Sequence, residues 1–138
     1  MGRPIEAGTV LIIDDDPEFG AHAVRVLERA GIATRYHRGP FGSLVAVREA
    51  GCEVVLLDVN MPRLDGSVLL RMIHGTFGVG KIRVLLCSDM EADRLEQLAA
   101  RLGAQGAVPK EIIAEHRCHE LPSALGLSKT QGARPGGP

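Results

Sequence analysis

Three short aliphatic runs, Val10-Leu11-Ile12-Ile13, Val54-Val55-Leu56-Leu57 and Val84-Leu85-Leu86-Cys87, punctuate an otherwise mixed chain, and each stops at a polar or acidic residue. Apolar runs of this length without polar alternation are expected of strands buried on both faces. Between them apolar positions recur at helical spacing. Phe19, Ala23, Val26, Leu27 and Ala30 fall on one face, as do Leu95, Leu98, Ala99 and Leu102. Gly31 is placed to end the first helix, a weaker strand is expected over residues 33–36, and a second helix over about 41–50 stops before Gly51. A third helix is expected over about 66–74, after which Gly75, Gly78 and Gly80 mark a turn. Residues 106–109 read as a short last strand, and residues 111–121 are compatible with a fifth helix.

Strand and helix therefore alternate, which forces parallel strands joined by helical crossovers and predicts an α/β fold, a doubly wound parallel sheet with helices on both faces. Ligands of such sheets bind at the carboxyl ends of the strands, near the point where strand order reverses. One domain over residues 8–121 is expected. From Pro122 the chain is rich in Gly and Pro with few residues able to fill a core, so residues 122–138 are expected to form a flexible tail.

Composition changes this picture little. A chain of 138 residues has room for one core. A net charge of -1 with 3% aromatic residues offers neither the basic field nor the stacking platforms of a direct nucleic-acid binder. Cys52, Cys87 and Cys118 are odd in number and irregularly spaced, which suits reduced thiols in a cytosol better than a disulfide framework. The first residues contain no apolar signal core, and Glu6 stands where a myristoylation motif requires Ser or Thr. No apolar run approaches the roughly 20 residues of a membrane span. A cytoplasmic protein without membrane contact is expected.

The chemistry lies where the strands end. Asp14, Asp15 and Asp16 follow the first strand, Asp58 the third, Ser88 the fourth and Lys110 the fifth. In a parallel sheet these ends share one edge, so residues from distant parts of the chain become neighbours. Carboxylates on adjacent strands about 5 Å apart repel by about 3 kcal/mol at an effective dielectric near 20. A cation is therefore expected among them, and hard oxygen ligands favour Mg²⁺ over a metal that prefers Cys or His. An Asp carboxylate can also attack phosphorus, with a lysine charge and a hydroxyl neutralising the transferred oxygens.

The runs Leu11-Ile12-Ile13-Asp14-Asp15-Asp16-Pro17, Leu56-Leu57-Asp58-Val59-Asn60-Met61-Pro62-Arg63-Leu64-Asp65-Gly66, Leu86-Cys87-Ser88 and Val108-Pro109-Lys110 resemble the four signatures of response-regulator receiver domains. The resemblance covers roughly residues 9–120 and is most specific in the D-x-x-M-P-x-x-D-G run. It implies a flavodoxin-like five-stranded sheet of order 2-1-3-4-5. It further implies that Asp58 is the phosphoacceptor, and that Asp14, Asp15, Asp58 and the backbone carbonyl of Asn60 hold Mg²⁺. Ser88 is then the switch hydroxyl and Lys110 the phosphate-binding cation. The implied donor is a histidine kinase, a phosphotransfer protein or a small acyl phosphate. The implied output is altered binding of a downstream protein through the face made by the fourth helix, fifth strand and fifth helix, with no turnover beyond the protein's own phosphorylation and dephosphorylation.

Three positions depart from that pattern. Ala107 stands where receivers usually carry an aromatic residue, Asp89 where the residue after the hydroxyl is normally small, and Glu111 where a proline usually follows the lysine on a cis bond. A cis bond before Glu111 would cost about 3 kcal/mol, so a trans, differently shaped loop is expected. These departures support an alternative, a degenerate receiver acting as a phosphorylation-independent docking module. The D-x-D pair Asp14 and Asp16 also resembles that of haloacid dehalogenase phosphatases, but that reading leaves residues 58–66 unexplained.

Plainer roles stand beside these. Asp16 before Pro17 suits a helix N-cap, and Ser88 with Glu91 matches a capping box that would begin the fourth helix. His116, Cys118 and His119 lack a fourth zinc ligand and are expected on a solvated helix surface.

Overall fold

A computed structural model describes residues 9–62, 64–114, 121, 125 and 126. Five strands run β1 (Val10–Asp14), β2 (Thr34–Arg38), β3 (Val54–Asp58), β4 (Arg83–Ser88) and β5 (Gly106–Pro109), separated by helices α1 (Pro17–Arg29), α2 (Ser43–Ala50), α3 (Gly66–Phe77) and α4 (Ala92–Leu102). Helix α5 (Lys110–Ala114) follows β5 directly. All strand pairs are parallel, and the sheet order is β2-β1-β3-β4-β5.

The aliphatic runs supply two cores because side chains of a strand alternate between faces. Val10, Ile12, Val54, Leu56, Leu85 and Cys87 meet Ala23, Val26, Leu27 and Ile113 of α1 and α5. Leu11, Ile13, Val55, Leu57, Val84 and Leu86 meet Val47, Leu69, Leu70, Ile73, Leu95 and Ala99 of α2, α3 and α4. Each such leucine taken out of water contributes about 2 kcal/mol, which is why the inner strands carry no polar alternation. The outer strands differ. β2 exposes Arg35 and Arg38 along its free edge, and β5 is short and ends at Pro109; charge, brevity and proline all discourage edge-to-edge pairing.

Helix starts follow local chemistry. The Asp16 side chain accepts the Glu18 N–H at 3.0 Å with Pro17 at the first helical position, and Asp65 accepts the Ser67 N–H at 2.9 Å at the start of α3. Gly66 is demanded by space: a Cβ there would lie 2.9 Å from Val59 Cα and 3.3 Å from the Asp58 carbonyl oxygen. Ser88 does not begin the fourth helix. Helix α4 starts at Ala92 with Glu91 at its N-cap, so the plainer capping-box role of Ser88 and Glu91 is not realised.

Candidate functional site

Register brings the polar strand ends together. Ile13 pairs with Leu57, so Asp14 and Asp58 leave the β1–β3 ladder side by side. Asp58 pairs with Cys87, one residue before Ser88, and Ser88 pairs with Pro109, one residue before Lys110.

Asp14 is almost fully buried at 1% exposure. Its Oδ1 accepts the Asp16 N–H at 2.9 Å, and its carbonyl oxygen accepts the Tyr36 hydroxyl proton at 2.9 Å. Its Oδ2 lies 2.9 Å from Lys110 Nζ, which is an ion pair by distance. That contact is a close, charge-assisted one, and no further partner reaches this oxygen among the described residues. Asp15 is half-buried and points toward the β2–α2 turn, where a Cβ on Gly39 would approach its Oδ1 to 3.5 Å.

Asp58 is buried at 6% exposure, and its Oδ1 accepts the Asn60 N–H at 3.1 Å. Loss of solvent pushes its carboxyl above the ordinary range. The Asn60 amide pulls the other way, the charges of Asp14 and Asp89 push further up, and Lys110 opposes them. Burial works to lower the Lys110 ammonium, but close contact with Asp14 and the charge of Asp58 overcome it and hold the lysine above its usual value. The same ammonium sits 4.4 Å from the centroid of the Phe19 ring.

Asp14, Asp15, Asp16, Asp58, Asn60, Asp89 and Lys110 line one cavity of about 290 Å³. Ser88 is not part of that lining. It is fully buried, accepts the Met90 N–H at 3.1 Å and an Asn60 side-chain N–H at 3.4 Å, and borders an adjoining cleft with Phe19, Met90 and Pro109. Asp16, Asp89 and Lys110 belong to both spaces, so the Ser88 hydroxyl adjoins the acidic cavity with Asn60 as its link.

Among the described residues no three His, Cys, Asp or Glu side chains gather closely enough to hold a metal ion by themselves. The donor set nevertheless fits Mg²⁺, which keeps several waters and takes only one or two carboxylates. Asp14 Oδ2, buried and approached only by the Lys110 ammonium among the described residues, has lone-pair capacity left for a hard cation. His116, Cys118 and His119 lie outside the described residues. No cis peptide occurs among the described residues, and α5 starts at Lys110 itself, in keeping with Glu111 in place of proline.

Two site neighbours escaped the sequence reading. Phe19 was legible only as one apolar position on the first helix, and Tyr36 only as part of a weak strand. The signal for both was proximity to the acidic run, through the first turn of α1 and the adjoining edge strand. Asp16, expected to cap α1, does so and also lines the cavity.

A doubly wound parallel sheet of order 2-1-3-4-5 defines the flavodoxin-like class. Within that class the chain belongs to the response regulator receiver domain family, whose profile matches residues 10–121. It is similar to Response regulator MprA of Mycobacterium tuberculosis, 28% identical over 124 residues, 90% of this chain and 53% of that protein. It is also similar to the uncharacterized transcriptional regulatory protein YkoG of Bacillus subtilis, 30% identical over 128 residues, 92% of this chain and 55% of that protein. The chain thus spans about half the length of these curated relatives. Among solved structures, chemotaxis protein CheY4 of Vibrio cholerae matches its fold with a TM-score of 0.71 at 21% identity, covering 86% of this chain and 99% of that one. The receiver domain of the putative response regulator NarL from Mycobacterium tuberculosis gives 0.66 at 26% identity, covering 88% and 98%.

Proposed function

We propose that this receiver domain accepts a phosphoryl group on Asp58 and signals through altered binding of a downstream protein. The observation that carries the reading is the single cavity shared by Asp58, Asp14, Asp15, Asn60 and Lys110. A carboxylate oxygen of Asp58 attacks the phosphorus atom. The P–N bond to a histidine of a kinase or phosphotransfer protein, or the P–O bond to a small acyl group, breaks, and the leaving group departs with its electron pair. Lys110 Nζ supplies a fixed positive charge for one phosphoryl oxygen, and the Ser88 hydroxyl supplies a hydrogen-bond donor once it turns from the β4–α4 loop.

Mg²⁺ would be held by Asp14, Asp15, Asp58 and the Asn60 carbonyl, and when bound it neutralises charge on the phosphoryl oxygens. Burial of Asp58 limits solvent around the acceptor, while its link to Asn60 fixes one of its two oxygens. The modification is stoichiometric, so no external substrate is turned over.

Incubation with Mg²⁺ and acetyl phosphate should add one phosphoryl mass to the intact protein, and Asp58→Asn should prevent it. Unmodified wild-type protein under these conditions refutes the assignment. Asp89 favours a second reading, because its carboxylate adds to the negative lining that an incoming phosphoryl group meets. In that reading the domain is a phosphorylation-independent docking module. Calorimetry with Mg²⁺ and beryllofluoride separates the two: heat of binding supports the acceptor, and none supports the docking module.

A further inference from the structure

We propose that Phe19 is the positioning residue for Lys110, and that its ring carries the movement of this lysine to the α1–α5 side of the sheet. The proposal rests on Asp58 being the phosphoacceptor. Lys110 Nζ is held from two sides, by Asp14 Oδ2 at 2.9 Å and by the Phe19 ring at 4.4 Å. The lysine side chain is only 14% exposed, and an aromatic face attracts an ammonium most strongly when water is scarce. The ring therefore keeps a flexible side chain at the mouth of the acidic cavity.

The surroundings decide where a displacement of Lys110 is felt. Phe19 packs against the core cluster that contains Ala23 and Ile113, and α1 and α5 are in contact. Lys110 is also the first residue of α5, so its backbone moves with that helix. On the opposite side, Ala107 belongs to the other cluster and offers no ring to follow the hydroxyl. Of the remaining aromatic residues, Phe41 is 63% exposed before α2, Phe77 closes α3, and Tyr36 is engaged with the Asp14 carbonyl oxygen through its hydroxyl. A phosphoryl group on Asp58 draws Nζ off Asp14 and changes its contact with the Phe19 face, and the cluster beneath that ring registers the change.

Two variants separate the π face from apolar bulk. Phe19→Leu removes the face, and Phe19→Tyr keeps it; thermal melting establishes that both are folded. In unmodified protein the ring current on the Lys110 ε-methylene protons, read by NMR, should vanish in Phe19→Leu and persist in Phe19→Tyr. With acetyl phosphate and Mg²⁺, Phe19→Leu should be phosphorylated about threefold to tenfold more slowly, the fold-change of a single cation–π contact, and Phe19→Tyr should restore the rate. Adding Mg²⁺ and beryllofluoride should shift the Ile113 methyl resonance in wild type, and less in Phe19→Leu.

An unchanged Lys110 signal or an unchanged rate in Phe19→Leu overturns the positioning role while leaving the acceptor assignment intact. A full Ile113 shift in that variant overturns the relay. Absence of phosphorylation in wild type removes the acceptor assignment and this proposal with it.

Discussion

Replacing Gly66 with alanine tests how tightly α3 is seated on the strand that carries Asp58. The added Cβ would stand 2.9 Å from Val59 Cα and 3.3 Å from the Asp58 carbonyl oxygen, whereas carbon atoms in contact prefer about 3.5–4.0 Å. Both obstacles are backbone, so relief requires the helix to lift or the Asp58–Val59 peptide to shift. Overpacking of this kind costs about 1–3 kcal/mol, offset in part by the better helix propensity of alanine. A net loss of about 1–2 kcal/mol corresponds to a melting temperature about 4–8 °C lower for a domain of this size. Gly75 is the internal control: it is exposed in the same helix with nothing within 4 Å of an added Cβ. Gly75→Ala should stabilise by about 0.5–1 kcal/mol. Urea midpoints and calorimetric melts of the two variants measure the contrast. A Gly66→Ala protein as stable as wild type, beside a stabilised Gly75→Ala, would show that the α3 start is not clamped against that peptide.

Other consequences follow from burial. Because loss of solvent raises the Asp58 carboxyl, the stability associated with it is complete below its ordinary range and declines as pH rises through the elevated folded value. Metal-free Asp58→Asn should therefore unfold at higher urea than wild type at pH 7.5, with the gap closing toward pH 3.5; equal midpoints at both would refute this. Leu57→Ala, at a fully buried β3 position, should cost about 2–5 kcal/mol, and a urea-midpoint change worth less than 1 kcal/mol would mean the site collapses around the void. The Cys52 thiol is pushed up to about 11 by burial, and Cys87 is pushed up by the same cause. Neither should be alkylated in native protein at pH 8, and mass mapping should find both labelled in urea.

The inner sheet was legible because Val10 to Ile13 and the two runs like it could be nothing but strands buried on both faces. The edges were less so. β2 runs on to Arg38, past the expected end at Tyr36, because its last residues are polar and half-exposed on a free edge. Helix α2 starts at Ser43 and not near Phe41: Phe41 fits the apolar spacing but is exposed, and Gly42 adopts a left-handed φ of 79° that breaks the helix before it. Gly75 looked like a breaker, yet α3 continues to Phe77, since a helix already packed through Leu69, Leu70 and Ile73 tolerates one exposed glycine. At the site, the strand-end rule pointed to Asp14, Asp58 and Lys110 on shared-edge grounds alone. It could not show that Ser88 lines the adjoining cleft and not the acidic cavity, or that an aromatic from α1 faces the lysine. An apolar residue on a helix face carries no sequence mark of the charge it will meet.

Tyr36 is the chain's single tyrosine, and there is no tryptophan. Its hydroxyl donates to the Asp14 carbonyl oxygen at 2.9 Å, and the ring lies where a Cβ on Gly20 would strike it. Ultraviolet emission excited near 280 nm thus originates from one fluorophore wedged between α1 and the acidic strand end. The molecule carries its own optical gauge, and ion or anion titrations can be followed without attaching any dye.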